Sequence, residues 1–214
     1  MEKVIFRHLI VGRLRTNCYV FGDAASREVV VIDPGSRANE IKALLDEEKA
    51  RVKAIINTHC HFDHVGANKR LKKMTGAPIL YHRDDTPLFK WKIIGVVPAN
   101  ATIDGMQEFL VDGQEIHLGS LVIKVLHTPG HTRGGICLYC GDYLFSGDTL
   151  FHLSIGRCDL PGGSLTTLLS VIKEKLLVLP DQVKVFPGHG RFSTIGEERR
   201  QNPFLRNEEL GIRN

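Results

Sequence analysis

The segment Thr58-His59-Cys60-His61-Phe62-Asp63-His64 places three imidazoles and a carboxylate within six residues. Three more candidates stand alone, each just after a glycine. His131 lies in Pro129-Gly130-His131-Thr132, Asp148 in Ser146-Gly147-Asp148-Thr149, and His189 in Pro187-Gly188-His189-Gly190. Imidazole and carboxylate donors together suit borderline divalent cations, zinc first, with iron or manganese as alternatives. Five histidines and two aspartates exceed the needs of one tetrahedral ion. The set therefore predicts two divalent ions, one bound by three histidines, the other by histidine and aspartate, with a carboxylate shared between them. Two cations acting on one water generate hydroxide at neutral pH, which is hydrolytic chemistry.

Such a site needs a rigid frame, and each cluster directly follows an apolar run that reads as a strand. Val52–Asn57 precedes the histidine-rich segment, Leu121–His127 precedes His131, Tyr143–Phe145 precedes Asp148, and Val183–Phe186 precedes His189. Loops leaving strand ends carry sites because the sheet fixes them. Asp63 falls where the next helix begins, a position that suits a carboxylate. Further strands are predicted at Lys3–Val11, Asn17–Gly22, Glu28–Ile32, Pro78–Tyr81, Glu108–Leu110, Gln114–His117, Gly135–Tyr139 and Tyr143–Ser146. Asp112-Gly113 and Gly141-Asp142 read as hairpin turns. Helices are predicted at Ala38–Lys49, Val65–Thr75, Ser164–Leu179 and Thr194–Asn202, from apolar spacing and from stops at Gly76 and Pro180. Residues 82–101 read as a loop with a short helix, and Trp91 is a candidate for a substrate lid. The mixture predicts an α/β protein of two mostly antiparallel sheets with helices on their outer faces.

At 214 residues and 43% hydrophobic composition, the chain suffices for one large core, so a single domain over 1–214 is expected. The net charge of +4 is mild and the basic residues are scattered, which predicts no nucleic-acid partner. Neither a signal-peptide pattern nor a membrane-length apolar run is present, so a cytoplasmic location without membrane contact is expected. The five cysteines do not form a disulfide framework. Cys137 and Cys140 match a C-x-x-C spacing but sit in a strand, where residues three apart face opposite ways. Buried thiols are the expectation.

Taken in order, T-H-x-H-x-D-H, P-G-H-T, G-D-T-L-F and P-G-H-G resemble the metallo-β-lactamase superfamily over nearly the whole chain. That resemblance implies a four-layer αββα sandwich. It implies that His59, His61 and His131 hold one metal, that Asp63, His64 and His189 hold another, and that Asp148 bridges them. The segments Leu150–Gly163 and Ser193–Leu205 look most like a compact bacterial branch of the glyoxalase II-like hydrolases. The implied reaction is hydrolysis of small acyl thioesters such as hydroxyacylglutathione by a metal-bridging hydroxide, which Asp63 would orient. Aspartate at 148 argues against the β-lactamases that carry cysteine there, and His61 argues against the oxygen-reducing branch that carries glutamate. After His189 the chain has 25 residues, fewer than the helical region with which full-length glyoxalase II enzymes bind glutathione. Weak glutathione binding is therefore expected.

Three further residues are candidates around that centre. Asp33 could orient a metal-bound imidazole, since such rings usually donate their second N–H to a carboxylate or carbonyl. Arg157 could meet a substrate carboxylate, and His152, four residues past Asp148, could line the pocket. His8, His82, His117 and His127 are assigned to structure. The alternative activities are a mononuclear-iron persulfide dioxygenase, using His59, His131 and Asp148, and hydrolysis of other esters, lactones or phosphoesters.

Overall fold

A computed structural model describes residues 4–86 and 108–206. The expectation for Trp91 lies outside the described residues. Two six-stranded sheets pack face to face, with helices outside each. The first sheet runs β1 (Val4–Val11), β2 (Thr16–Asp23), β3 (Glu28–Ile32), β4 (Arg51–Ile56), β5 (Ile79–His82) and β6 (Glu108–Leu110). The second contains β7 (Glu115–Leu118), β8 (Leu121–His127), β9 (Ile136–Cys140), β10 (Tyr143–Gly147), β13 (Lys184–Pro187) and β14 (Ser193–Thr194). Between β10 and β13 a small hairpin pairs β11 (Leu150–Phe151) with β12 (Ser154–Ile155).

Alternation along the strands builds three cores in four layers. Tyr19, Phe21, Val30 and Ile32 point between the sheets, against Ile123, Leu138, Phe145 and Phe186. Their neighbours Cys18, Val20, Val29 and Val31 point outward, against Ile41, Leu45 and Leu71 of helices α1 (Ala38–Glu47) and α3 (Asn68–Thr75). On the far side, Leu144, Val183 and Val185 pack on Leu168, Ile172, Ile195 and Leu205. These come from α4 (Leu165–Val171, continued by a wider turn over Ile172–Leu176), α5 (Ile195–Gln201) and α6 (Pro203–Arg206). Cys137 faces this outer core and Cys140 the inner one, so the pair cannot act together. No helix of the described residues is long and apolar enough to cross a membrane.

Several local expectations are corrected. The first sheet is mixed: β3–β4, β4–β5 and β5–β6 pair in parallel, and for the first two pairs α1 and α3 return the chain across the outer face. Asp112-Gly113 does not close a hairpin; it lies where the chain passes from β6 in one sheet to β7 in the other. The helix expected over Val65–Thr75 starts earlier and is broken, as α2 (Phe62–Val65) and then α3. At the break Gly66 lies so close to the Gly35 carbonyl that a Cβ would collide, and the Ala67 N–H donates to Pro34 O at 2.8 Å. Gly35 itself rests against the Asp63 carbonyl, where no side chain fits. The Asp33–Gly35 turn is thereby locked against the histidine-rich loop.

Candidate metal centre

All seven residues singled out by sequence meet at one edge of the sandwich, at the ends of β4, β8, β10 and β13. They form three overlapping groups: His59, His61 and His131; His59, His64 and Asp148; and Asp63, His64 and His189. Within each group the donor atoms lie within 4.8 Å of one another. In the first, the rings stand nearly perpendicular, with centroids 4.7–4.8 Å apart. His131 Nδ1 donates to the Arg157 carbonyl at 2.7 Å, so its Nε2 presents a lone pair, 3.0 Å from His61 Nδ1. That lone pair either accepts from His61 Nδ1–H or, with His61 Nδ1 unprotonated, faces a second lone pair across a gap that a cation would fill. His59 Nε2 and Asp148 Oδ1 are buried with no hydrogen-bond partner, which is costly unless an ion satisfies them.

In the other group Asp63 Oδ2 lies 3.2 Å from His189 Nε2 and 3.4 Å from His64 Nε2. Asp148 touches both halves, its Oδ2 lying 3.6 Å from His131 Nε2 and 3.7 Å from His189 Nε2. Electrostatics separate the halves as well. Burial, reinforced by neighbouring imidazoles, lowers the pKa of His59 well below the usual histidine value and that of His61 to about 3. Both rings are therefore neutral at physiological pH, the form in which imidazole can bind a metal. Burial alone would also lower His64, but the carboxylates of Asp33 and Asp148 outweigh it and raise the pKa to about 9. Burial pushes Asp63 up, yet the hydrogen bond and charge of His189 and the charge of His64 hold it well below the carboxylate range.

The surrounding contacts fix each ring. Asp33, at φ 50° in the left-handed region, accepts from the Thr58 N–H at 2.7 Å and the Thr58 hydroxyl at 2.6 Å. Its Oδ2 also lies 3.0 Å from His64 Nδ1, the place expected of it from the sequence. Arg157 sits beside the centre and ties down its own loop. Its guanidinium forks onto Asp159 at 2.8 and 2.7 Å on the surface, and only its carbonyl reaches the centre, through His131. His152 Nε2 lies 3.0 Å from Glu197 Oε1 on α5. Arg157 is held by a neighbour of opposite charge, and His152 by a helix that sequence spacing does not bring to it.

Two positioning groups were missed. Asp85 is buried at the end of a short turn after β5. It accepts from the Cys60 N–H (2.9 Å), the Thr132 hydroxyl (3.0 Å) and the Gly134 N–H (2.6 Å), tying the loop of His59 and His61 to that of His131. Asn17 donates its amide to the carbonyls of Pro187 (2.9 Å) and Gly190 (3.0 Å), while Tyr19 donates to Pro187 O at 2.6 Å. Together they hold the turn that carries His189. No local pattern marks either residue, since both act across more than a hundred residues or between loops.

Gly188 gives this geometry a direct test. A Cβ there would collide with Asp148 Oδ1 and press within 2.8 Å of His64 Cε1. Gly188→Ala should therefore retain the fold, by circular dichroism, and lose roughly tenfold or more in affinity for the ion at His64, since displaced ligand geometry costs on that order. Unchanged metal affinity would show that the groups do not act together.

With this geometry in place, the chain can be set beside known proteins. The family model for the metallo-beta-lactamase superfamily matches residues 11–189. The chain belongs to that superfamily. Its sheets, helices and histidine–aspartate centre are those of a metal-binding hydrolase fold. Among curated relatives, an uncharacterized Mycobacterium leprae protein is 41% identical, over 91% of this chain and 95% of its own length. The hydroxyacylglutathione hydrolase GloC of Haemophilus influenzae is 34% identical, over 91% of this chain and 95% of its length. Among solved structures, BLEG-1, a B3 metallo-beta-lactamase, superposes with a TM-score of 0.84 at 34% identity, covering 94% of this chain and all of its own. TTHA1623, solved in a di-iron-bound form, superposes at 0.78 with 36% identity, covering 93% of this chain and all of its own.

Proposed function

We propose that the chain is a binuclear metal-dependent hydrolase of small acyl thioesters. His59, His61 and His131 would hold one divalent ion, Asp63, His64 and His189 the other, and Asp148 would serve both. The observation that carries this reading is the Asp148 carboxylate, whose Oδ2 stands between His131 and His189 at nearly equal distances. The donor set suits zinc and also iron, the metal borne by the TTHA1623 neighbour. Bound there, two ions would supply a hydroxide at neutral pH and polarise an acyl carbonyl. The protein's own groups do the positioning. Asp63 Oδ2, fixed by the Thr16 hydroxyl at 3.0 Å, faces the shared region and is the group that would orient the attacking water. Asp33 holds His64, and the Arg157 carbonyl holds His131, each through the ring nitrogen turned away from the centre. A thiolate leaving group, with a thiol pKa near 8.5, needs little protonation. No general acid is required.

Thioesters are favoured by the likeness to the Haemophilus influenzae hydroxyacylglutathione hydrolase along nearly its whole length. The likeness to BLEG-1 favours a second reading, β-lactam hydrolysis by the same centre. Steady-state kinetics on zinc- and iron-loaded protein separates the two. Small acyl thioesters, S-lactoylglutathione included, should be cleaved with kcat/KM at least about a hundredfold above a chromogenic β-lactam. The reverse order would replace the thioester reading with the second. Oxygen uptake with glutathione persulfide, and no thioester cleavage, would overturn hydrolysis itself.

A further inference from the structure

Outside the centre, the turn of the β11–β12 hairpin lies over the first turn of α5. His152 from the hairpin and the adjacent Glu197 and Glu198 from the helix bring one ring nitrogen and two carboxylate oxygens within 4.8 Å of one another. Glu198 is fully buried. Its Oε2 accepts from the Leu153 N–H (3.0 Å) and the Asn202 amide (2.8 Å), whereas Oε1 is buried and accepts from nothing. A buried carboxylate with one oxygen unpaired is expensive unless a cation completes it. Arg191 approaches the same place: its guanidinium contacts His152 Nε2 and stands 3.9 Å from Glu197 Oε1. Its side chain is 70% exposed, so it is free to leave. His152 Nε2 is thus approached by two groups with opposite demands, since it would accept from Arg191 and donate to Glu197.

We propose that His152, Glu197 and Glu198 form a third divalent-cation site, weaker than the two of the catalytic centre, which Arg191 covers when no ion is bound. One neutral imidazole and two carboxylates balance a divalent charge, and nitrogen with oxygen donors suits zinc or manganese rather than calcium. The ion would pin the β11–β12 hairpin to α5 next to the turn that carries His189. A separate trio of His82, Asp84 and His127, at the ends of β5 and β8, does not qualify. Its two rings stack at 4.0 Å and 10°, so their in-plane lone pairs run parallel rather than converge.

The site can be tested by equilibrium dialysis of full-length protein against zinc, with elemental analysis. The difference between variants is read rather than the total, so the outcome stands apart from how many ions the catalytic centre holds. Glu197→Gln should lose one weakly bound ion and keep thioesterase turnover. His152→Ala should lose the same ion, with its Kd raised roughly a hundredfold, as removing a ligand costs more than the 10–100-fold of a supporting group. Arg191→Ala should tighten that ion, because it removes a competing positive charge. Equal zinc content and affinity in wild type, Glu197→Gln and Arg191→Ala would overturn the proposal and leave an ion-pair cluster. Glu198→Gln, which keeps an acceptor for Leu153, serves as the buried counterpart, with thermal melting to show that it folds.

Discussion

Asp148→Ala should strip the protein of both ions and lower kcat/KM on the order of a thousandfold or more. A shared ligand stabilises charge on both sides of the centre, and single preorganised electrostatic groups already cost ~10²–10³ in rate when removed. Its carboxylate oxygens stand 3.6 Å from His64, 3.6 Å from His131 and 3.7 Å from His189, so it reaches donors of both halves of the centre. His189→Ala provides the contrast, because the close contacts of His189 Nε2 are with Asp63, His64 and Asp148 and not with the His59–His61–His131 group. It should weaken one ion and leave the other at near wild-type affinity. Metal titration followed by elemental analysis reads both variants. Identical losses in the two would remove Asp148 from the bridging position.

Asp85→Ala should be the most destabilising single change near the centre, lowering stability by about 3–5 kcal/mol. Hydrogen bonds to a charged partner contribute ~1.5–3 kcal/mol each, and the variant leaves the buried N–H groups of Cys60 and Gly134 unsatisfied. A loss of that size corresponds to roughly 10 °C in Tm for a chain of this length. Affinity for the ion at His59, His61 and His131 should fall ~10–100-fold as well, because the carboxylate ties together the loops that bring those rings into register. Asp84→Ala is the internal control. Asp84 is solvent-exposed, and its loss should change stability by no more than about 0.5 kcal/mol. Chemical denaturation of both variants, with metal affinity measured in parallel, decides. Equal stability for the two would mean that Asp85 does not hold the loops.

The gathering of the candidate centre was legible because metal-capable side chains are rare and their spacing is local. His59, His61, Asp63 and His64 lie close together in sequence, and each remaining candidate follows a glycine at the end of an apolar strand. The strands were legible for a similar reason: alternation such as Tyr19 and Phe21 inward with Cys18 and Val20 outward is written residue by residue. The four-layer arrangement came from family resemblance rather than from periodicity. Periodicity alone suggested mostly antiparallel sheets, whereas three pairings of the first sheet are parallel. Parallel pairing depends on where a crossover helix returns the chain, and that is decided by packing between α1, α3 and the sheet. The same holds for the break between α2 and α3, imposed by the close approach of Gly35 and Gly66 rather than by helix propensity. Tertiary structure alone decided which polar residues serve the centre. Asp85 and Asn17 joined it through hydrogen bonds to distant backbone, while Arg157 and His152, near Asp148 in sequence, turned to Asp159 and Glu197. A metal ligand is recognisable from its own chemistry. A group that orients a ligand is ordinary in type and is defined only by what the fold sets against it.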